Sequence, residues 1–264
     1  MPKKISFFEH LKIYCYIIKL TLKKQKRTYD VVNKDYDSEL WNKPFETIDF
    51  ESLYGNYTRD DLNEEIIGSL NDTLIKDKFQ NLENQHMSQF LETFQDYKSE
   101  SIVELGCGLG ANLFFLKKNG FSNLEGYDLS QNAINNLKKY VKIKNYDMKF
   151  ELCDLNETFP NDMLKNKIVF TSGCLEQCKN IMNNALHNII NSHPKLIINF
   201  EVDYDASDFI VRKYLDALDY QNNLVRNLKK LEKDGRIKII SINKMRYSLS
   251  PVNRSSIIIW KPIK

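Results

Sequence analysis

The chain has 264 residues, room for one large α/β domain or a domain with an appended cap, and 42% of it is hydrophobic, enough to bury a sizeable core. Its 38 Lys and Arg face 35 Asp and Glu for a formal net charge of +3, a balance that argues against nucleic acid as the partner, since that footprint needs basic charge clustered on one face. Five cysteines (Cys15, Cys107, Cys153, Cys174 and Cys178) are odd in number and lack a zinc-type pair-of-pairs spacing, so they read as reduced thiols of a cytoplasmic protein with no metal site.

The first predicted element is an amphipathic helix across Ile5 to Leu22. Phe7, Phe8, Leu11, Cys15, Ile18 and Leu22 recur at helical spacing, widened by Ile13, Ile17 and Leu20, which gives the helix much to bury. Glu9, His10, Lys12 and Lys19 interrupt the run, so it falls short of the roughly 20 mainly apolar residues of a spanning helix. No small-residue cleavage site of a signal peptide is present. Lys19, Lys23, Lys24, Lys26 and Arg27 crowd the C-terminal end, where cations meet the negative end of the helix dipole. Packing on the domain is the favoured use of this helix; peripheral contact of residues 1–27 with an anionic membrane is the other.

From Thr28 to Thr58 the periodicity fades into a loop-rich connector holding Trp41, Pro44, Phe45, Tyr54 and Tyr57. Asp60 or Asp61 can cap a helix running to about Asn71. A second helix is expected from about Lys76 to Tyr97, with Phe79, Leu82, Met87, Phe90, Leu91 and Phe94 inward and His86 a packed or surface residue. Residues 1–98 thus form an N-terminal helical cap and connector, and residues 99–264 a second domain.

That domain opens on Ser101 to Gly110. Ile102, Val103 and Leu105 form a strand that stops at Gly106, Gly108 and Gly110, and a helix follows from Asn112 to Asn119. Glycine suits such a turn because the backbone must visit positive φ and a ligand must approach without a Cβ in the way. Glu104 sets a negative charge beside the turn, which suits a cationic ligand. Gly106, Gly108 and Ala111 also satisfy the looser dinucleotide pattern, so the turn alone leaves two cofactor classes open.

Strands then alternate with helices: Asn123 to Tyr127, Lys149 to Cys153, Lys167 to Thr171 and Leu196 to Glu201, the first followed by a helix from Ser130 to about Tyr140. A long helical region from Ala206 to Lys233 precedes two final strands, Arg236 to Ile242 and Ser256 to Trp260, whose short connection favours antiparallel pairing.

The stretch Glu104-Leu105-Gly106-Cys107-Gly108-Leu109-Gly110 resembles the first motif of class I S-adenosylmethionine-dependent methyltransferases. The resemblance implies an α/β, Rossmann-like sheet of seven strands with the last antiparallel, and S-adenosylmethionine as cofactor. It implies that Gly106, Cys107 and Gly108 wrap the amino-acid end of the cofactor and that Glu104 answers its positive charge. Asp128, ending the second strand, would accept the ribose hydroxyls, with Leu129 against the adenine. Asp154 and Leu155 after the third strand would meet the adenine amino group, and Ser172 at the fourth would complete the site. Arg59 would meet the cofactor carboxylate from an N-terminal segment folded over it.

Where many members carry Leu-Glu-His after the fourth strand, this chain has Leu175-Glu176-Gln177. Glutamine can orient an acceptor but cannot titrate, so Glu176 and Glu201 become the acids expected to face the acceptor, with Gln177 beside them. A narrower resemblance, in short words such as Asn199-Phe200-Glu201 and Pro251-Val252-Asn253-Arg254, is to methyltransferases of bacterial surface-polysaccharide loci, including those of O-methyl phosphoramidate capsule decoration. It implies an acceptor side lined by Tyr214, Tyr220 and Arg254. The expected function is an O-methyltransferase acting on a small polar acceptor, such as a sugar, nucleotide-linked or phosphoramidate precursor. An NAD(P)-dependent oxidoreductase and a non-catalytic binding protein on the same fold remain the alternatives.

Overall fold

The computed structural model describes residues 2–23, 26–48, 50, 64–160, 162–178, 182–221 and 223–263. In chain order, β1 (Lys3–Lys4) leads to α1 (Phe7–Lys23), α2 (Tyr29–Asn33) and a π-helical turn over Lys34–Leu40. Next come β2 (Glu65–Leu70), β3 (Thr73–Lys78), α3 (Phe79–Phe94), β4 (Ile102–Leu105), α4 (Ala111–Lys118), β5 (Leu124–Asp128), α5 (Gln131–Lys144) and β6 (Met148–Leu152). The chain continues through β7 (Ile168–Ser172), α6 (Met182–Asn191), β8 (Leu196–Glu201), α7 (Phe209–Ala217), α8 (Leu224–Lys233), β9 (Ile237–Lys244), β10 (Tyr247–Ser248) and β11 (Ser256–Pro262).

Seven strands form one sheet in the order β6-β5-β4-β7-β8-β11-β9. The pairs among β4 to β8 are all parallel, and β11 runs antiparallel to both β8 and β9. Parallel strands need both faces covered, and the residues alternate accordingly. Ile102, Ile168, Phe170, Ile198 and Phe200 point to one face, with Phe90, Phe94, Leu113, Phe114 and Leu137 from α3, α4 and α5. Val103, Leu105, Val169, Ile197 and Ile258 point to the other, covered by Leu186 and Ile189 of α6 and Leu228 of α8. Phe90 is the keystone of the first face, its ring centroid 4.9 Å from that of Phe200 and 5.8 Å from that of Phe170; truncating such a side chain to alanine costs about 3–5 kcal/mol.

One expectation for the N-terminal part is corrected. Where a helix was expected from Asp60 or Asp61 to Asn71, the described residues hold a hairpin of β2 and β3. Its turn residues Asn71 and Asp72 have φ of 47° and 64°, the left-handed pair that a two-residue hairpin requires and that Asn and Asp tolerate best. The next helix therefore starts at Phe79 and not at Lys76. The hairpin, β1 and β10 build a second sheet, β1-β3-β2-β10, which the sequence pattern did not announce.

The helix α1 packs on the domain, as favoured, against α7: it buries Ile13 and Ile17 of its broad apolar face, while Phe7, Phe8, Leu11, Ile18 and Leu22 face outward. Both sets are apolar, so periodicity alone could not choose between them.

Candidate functional site

The carboxyl ends of β4, β5, β6 and β7 lie side by side, and the candidate residues converge there. At β4 the backbone folds into a tight cradle: Gly106 N–H and Cys107 N–H both donate to the Tyr127 carbonyl, at 2.7 and 3.1 Å. Gly106 has φ +74°, and a Cβ there would sit 2.2 Å from Cys174 Sγ; at Gly108, φ +51°, a Cβ would meet Trp41 Cζ2 at 3.0 Å. Only glycine fits either position, because the left-handed backbone and the close neighbour both exclude a side chain.

Glu104 is buried beside this cradle. Its Oε1 accepts from Asn112 Nδ2 at 2.7 Å, and its Oε2 makes no hydrogen bond. Burial pushes its carboxyl well above the ordinary range, with Asp128 adding to the rise. An orphaned carboxylate oxygen in a dry site costs a fold stability unless a cation or donor meets it. Asp128 joins the cradle to the next helix: Oδ2 accepts from Gly108 N–H at 2.7 Å and Oδ1 from Ser130 N–H at 2.8 Å. Burial raises its carboxyl and these N–H groups oppose the rise. Each oxygen keeps a lone pair for a further donor such as a hydroxyl.

The other expected cofactor residues are placed as follows. Cys107 is buried in the cradle, its thiol pushed up by burial and by Asp128 and Glu104. Leu129 and Ser172 are half-buried at the ends of β5 and β7. Asp154 follows β6 and accepts from Asn156 N–H at 2.8 Å, while Leu155 turns into the core face formed by Tyr127, Phe159 and Leu186. Arg59, with Tyr54 and Tyr57, lies outside the described residues.

After β7 the chain makes a short 3-10 turn, Leu175–Gln177, and Glu201 at the end of β8 holds it. Glu201, with 0% of its surface exposed, accepts from the N–H groups of Cys174 and Leu175, each at 3.0 Å, and of Glu176 at 3.2 Å. Both its oxygens serve this cap, so Glu201 shapes the turn that presents Glu176. Glu176 is buried at the outer end of the turn, with Oε1 accepting from Gln177 Nε2 at 3.2 Å and Asn253 Nδ2 at 3.4 Å. Burial, with the nearby Glu201, pushes its carboxyl up to about 8. Nearby, Asn253 Oδ1 is buried and makes no hydrogen bond.

A wall of N-terminal residues closes over these two turns. Arg27 Nε donates to Gln177 Oε1, and the guanidinium lies 5.2 Å from the Tyr220 ring centroid and 5.9 Å from that of Tyr36. Tyr36 stands 6.1 Å from Trp41, ring to ring, and Trp41 reaches Gly108. Burial and Glu176 both raise the Tyr220 hydroxyl, which places it by the same carboxyl. The wall is pinned by Asp37, which accepts from Ser130 Oγ at 2.6 Å and Asn132 N–H at 3.0 Å and so ties it to the first turn of α5, whose N-cap is Ser130.

Residues 102–192 match the family model described as a methyltransferase domain. No curated protein matches the sequence. Among solved structures, a magnesium protoporphyrin IX methyltransferase from Synechocystis PCC 6803 with bound S-adenosylmethionine is similar at TM-score 0.55 and 12% identity, over 88% of this chain and 95% of that one. The PH0226 protein from Pyrococcus horikoshii OT3 gives TM-score 0.50 and 14% identity over 70% of this chain and 91% of that one. An O-methyltransferase from neocarzinostatin biosynthesis, NcsB1, in complex with S-adenosylmethionine and 2-hydroxy-5-methyl naphthoic acid, gives 0.50 and 13% over 70% and 57%. At these identities the likeness is one of fold, a Rossmann-like sheet of seven strands with an antiparallel last strand.

The chemistry of the cradle fits the cofactor of that fold. Glu104 Oε2 is an unmet carboxyl oxygen where a ligand ammonium would bind, and the glycines leave room for a ligand against the backbone. The site also draws in Arg27, read from sequence only as part of the basic end of the first helix, and Tyr36, Asp37 and Trp41, read as connector. Their only sequence signal was the density of aromatics and charges between Arg27 and Trp41. Arg254, expected on the acceptor side, is instead a buried tie: its Nη1 lies 2.9 Å from Asp208 Oδ2 and donates to the Asp72 carbonyl at 3.1 Å, joining α7 to the hairpin. Among the described residues no cluster of His, Cys, Asp and Glu could hold a metal ion. His86 bonds the Tyr247 carbonyl at 3.0 Å and fastens α3 to β10.

Proposed function

We propose that the protein is an S-adenosylmethionine-dependent O-methyltransferase acting on a small polar acceptor. The observation that carries this reading is a pair of buried acids at the ends of the neighbouring strands β4 and β7: Glu104, unmet and suited to a cation, and Glu176, with its carboxyl held near 8. Glu104, Gly106, Cys107, Gly108, Asp128, Leu129, Asp154, Leu155 and Ser172 would hold the cofactor, which supplies an activated methyl group. Arg59 is kept as its carboxylate partner.

The chain's own work is then to position and deprotonate the acceptor. Methyl transfer from a sulfonium needs alignment more than it needs acid–base apparatus. A carboxyl near 8 is nonetheless well matched to take the proton of a hydroxyl at neutral to mildly alkaline pH. Gln177 and Asn253 hold its Oε1, Arg27 offers a cation to an anionic acceptor, and the unmet Asn253 Oδ1 offers an acceptor atom to a hydroxyl. Glu201, committed to three N–H groups, serves as the positioning residue for Glu176. The acceptor we propose is a sugar, nucleotide-linked or phosphoramidate precursor of a bacterial surface polysaccharide, supported by the Tyr36 and Tyr220 rings around Arg27 beside Gln177 and by the short sequence words at 175–177 and 251–254.

The test is transfer of labelled methyl from S-adenosylmethionine to a panel of sugar, nucleotide-sugar and phosphorylated acceptors, with wild type and Glu176→Gln in parallel. Turnover that depends on Glu176 supports the reading. Absence of transfer to every acceptor by folded, cofactor-bound protein contradicts it, and transfer undiminished in Glu176→Gln removes the base assignment.

A further inference from the structure

The helix α1 has one face committed and one face open. Ile13 and Ile17 are buried towards the domain, and Glu9 is held by Ser6 and by Lys76 at 3.2 Å. On the opposite side Phe7 is 77% exposed, Phe8 73%, Ile18 59% and Leu22 82%, with Leu11 and Tyr14 between them. Positions 7, 11, 14, 18 and 22 recur every three to four residues and so form one continuous stripe. Exposed apolar residues scattered singly need no explanation, but a contiguous stripe along a whole helix marks a contact surface.

Charge decides what that surface fits. The first 28 residues carry eight Lys and Arg against Glu9 alone, although the whole chain is only +3, so the remainder is net negative. Lys12, Lys19 and Lys23 are exposed along the edge of the stripe, next to Phe8 and Cys15 on the helical wheel. An apolar face edged by lysines is the arrangement of helices that lie in the plane of a bilayer interface, with apolar side chains among the acyl chains and ammonium groups at anionic headgroups. A second copy of the chain fits poorly, because pairing two such faces would bring two strongly basic segments together. No described helix is long and apolar enough to cross a membrane, which leaves lying on the surface as the mode.

We propose that the outward face of α1 docks the protein on an anionic lipid surface. The chain passes from α1 to Arg27 at the Gln177 turn, so docking places the bilayer beside the segment that closes the acceptor site.

The full chain is sedimented with vesicles of phosphatidylcholine alone or mixed with phosphatidylglycerol, at low and high salt. The expected result is binding to the mixed vesicles only, weakened by salt. The triple change Lys12→Gln, Lys19→Gln, Lys23→Gln should weaken it on the order of a hundredfold, since each lysine near an anionic surface contributes about a fivefold factor. The change Phe7→Ser, Phe8→Ser, Leu22→Ser should abolish it. All six residues are exposed, so both variants should keep the wild-type melting temperature. Absence of binding by wild type, equal binding to neutral vesicles, or binding undiminished in both variants overturns the proposal. So does a dimer, seen by light scattering, that the serine variant dissolves while vesicle binding is absent, because that assigns the face to a second copy.

Discussion

The cradle after β4 and the turn after β7 are neighbours at the same edge of the sheet, and they are built by opposite strategies. The cradle is local: Glu104, Gly106 and Gly108 lie within five residues, and Asp128 on the adjacent strand ties back to Gly108 N–H at 2.7 Å. The turn is assembled from afar: Gln177 meets Arg27 from the N-terminal segment, Glu176 meets Asn253 from the C-terminal one, and Glu201 caps the turn from β8. A site part that must hold one unchanging ligand can be written into a single turn. A part that must recognise a particular acceptor draws on whatever loops the fold brings over it.

Substitutions should divide along this line. The largest effect is expected for Glu176→Gln, which should lower kcat on the order of 10²- to 10⁴-fold and leave cofactor affinity in calorimetry unchanged. The wild-type rate should rise with pH up to about 8 and then level off. Because the carboxyl is raised in the folded state, the folded protein holds its proton more tightly than the unfolded chain, and stability falls with pH from the ordinary carboxyl range up to about 8. Glu176→Gln should therefore melt no lower than wild type at pH 8; a marked loss would mean that the carboxylate is structural.

Glu104→Gln should do the reverse, weakening cofactor binding by roughly ten- to a hundredfold, the worth of a charge-assisted contact, while kcat at saturating cofactor is kept. Arg27→Ala should raise the acceptor KM by about tenfold, as for loss of a charged contact, with cofactor affinity unaffected; a change in both would merge the two regions into one. The smallest effect is expected for Asp37→Ala, which removes the acceptor of Asn132 N–H in the first turn of α5 and leaves the N-cap Ser130 in place. It should cost about 1 kcal/mol, a fall of roughly 2–4 °C in melting temperature, with kcat intact.

The same division explains what could be read in advance. The alternating strands, the glycine turn and the antiparallel last strand are short-range patterns, and each stands where the sequence placed it. Glu176 and Gln177 could be singled out because they follow a strand end, and they stand in the 3-10 turn after β7. Arg27, Tyr36 and Trp41 were not, since their role exists only once a connector with no periodicity folds back over β4 and β7. Arg254 shows the converse: an arginine near the site in sequence became a buried tie to Asp208 and Asp72. The hairpin at Asn71-Asp72 was missed because Asp60 and Asp61 ahead of it read as a helix start, while for α1 the breadth of its apolar face left open which part would pack.

The most direct test of the account is calorimetric titration of S-adenosylmethionine at pH 6 and pH 8. Glu104 must give up its proton to meet a cation, so the account predicts one site per chain, tighter at pH 8 than at pH 6, with proton release on binding that Glu104→Gln removes. No binding by folded protein, or binding that weakens as the pH rises, would contradict it.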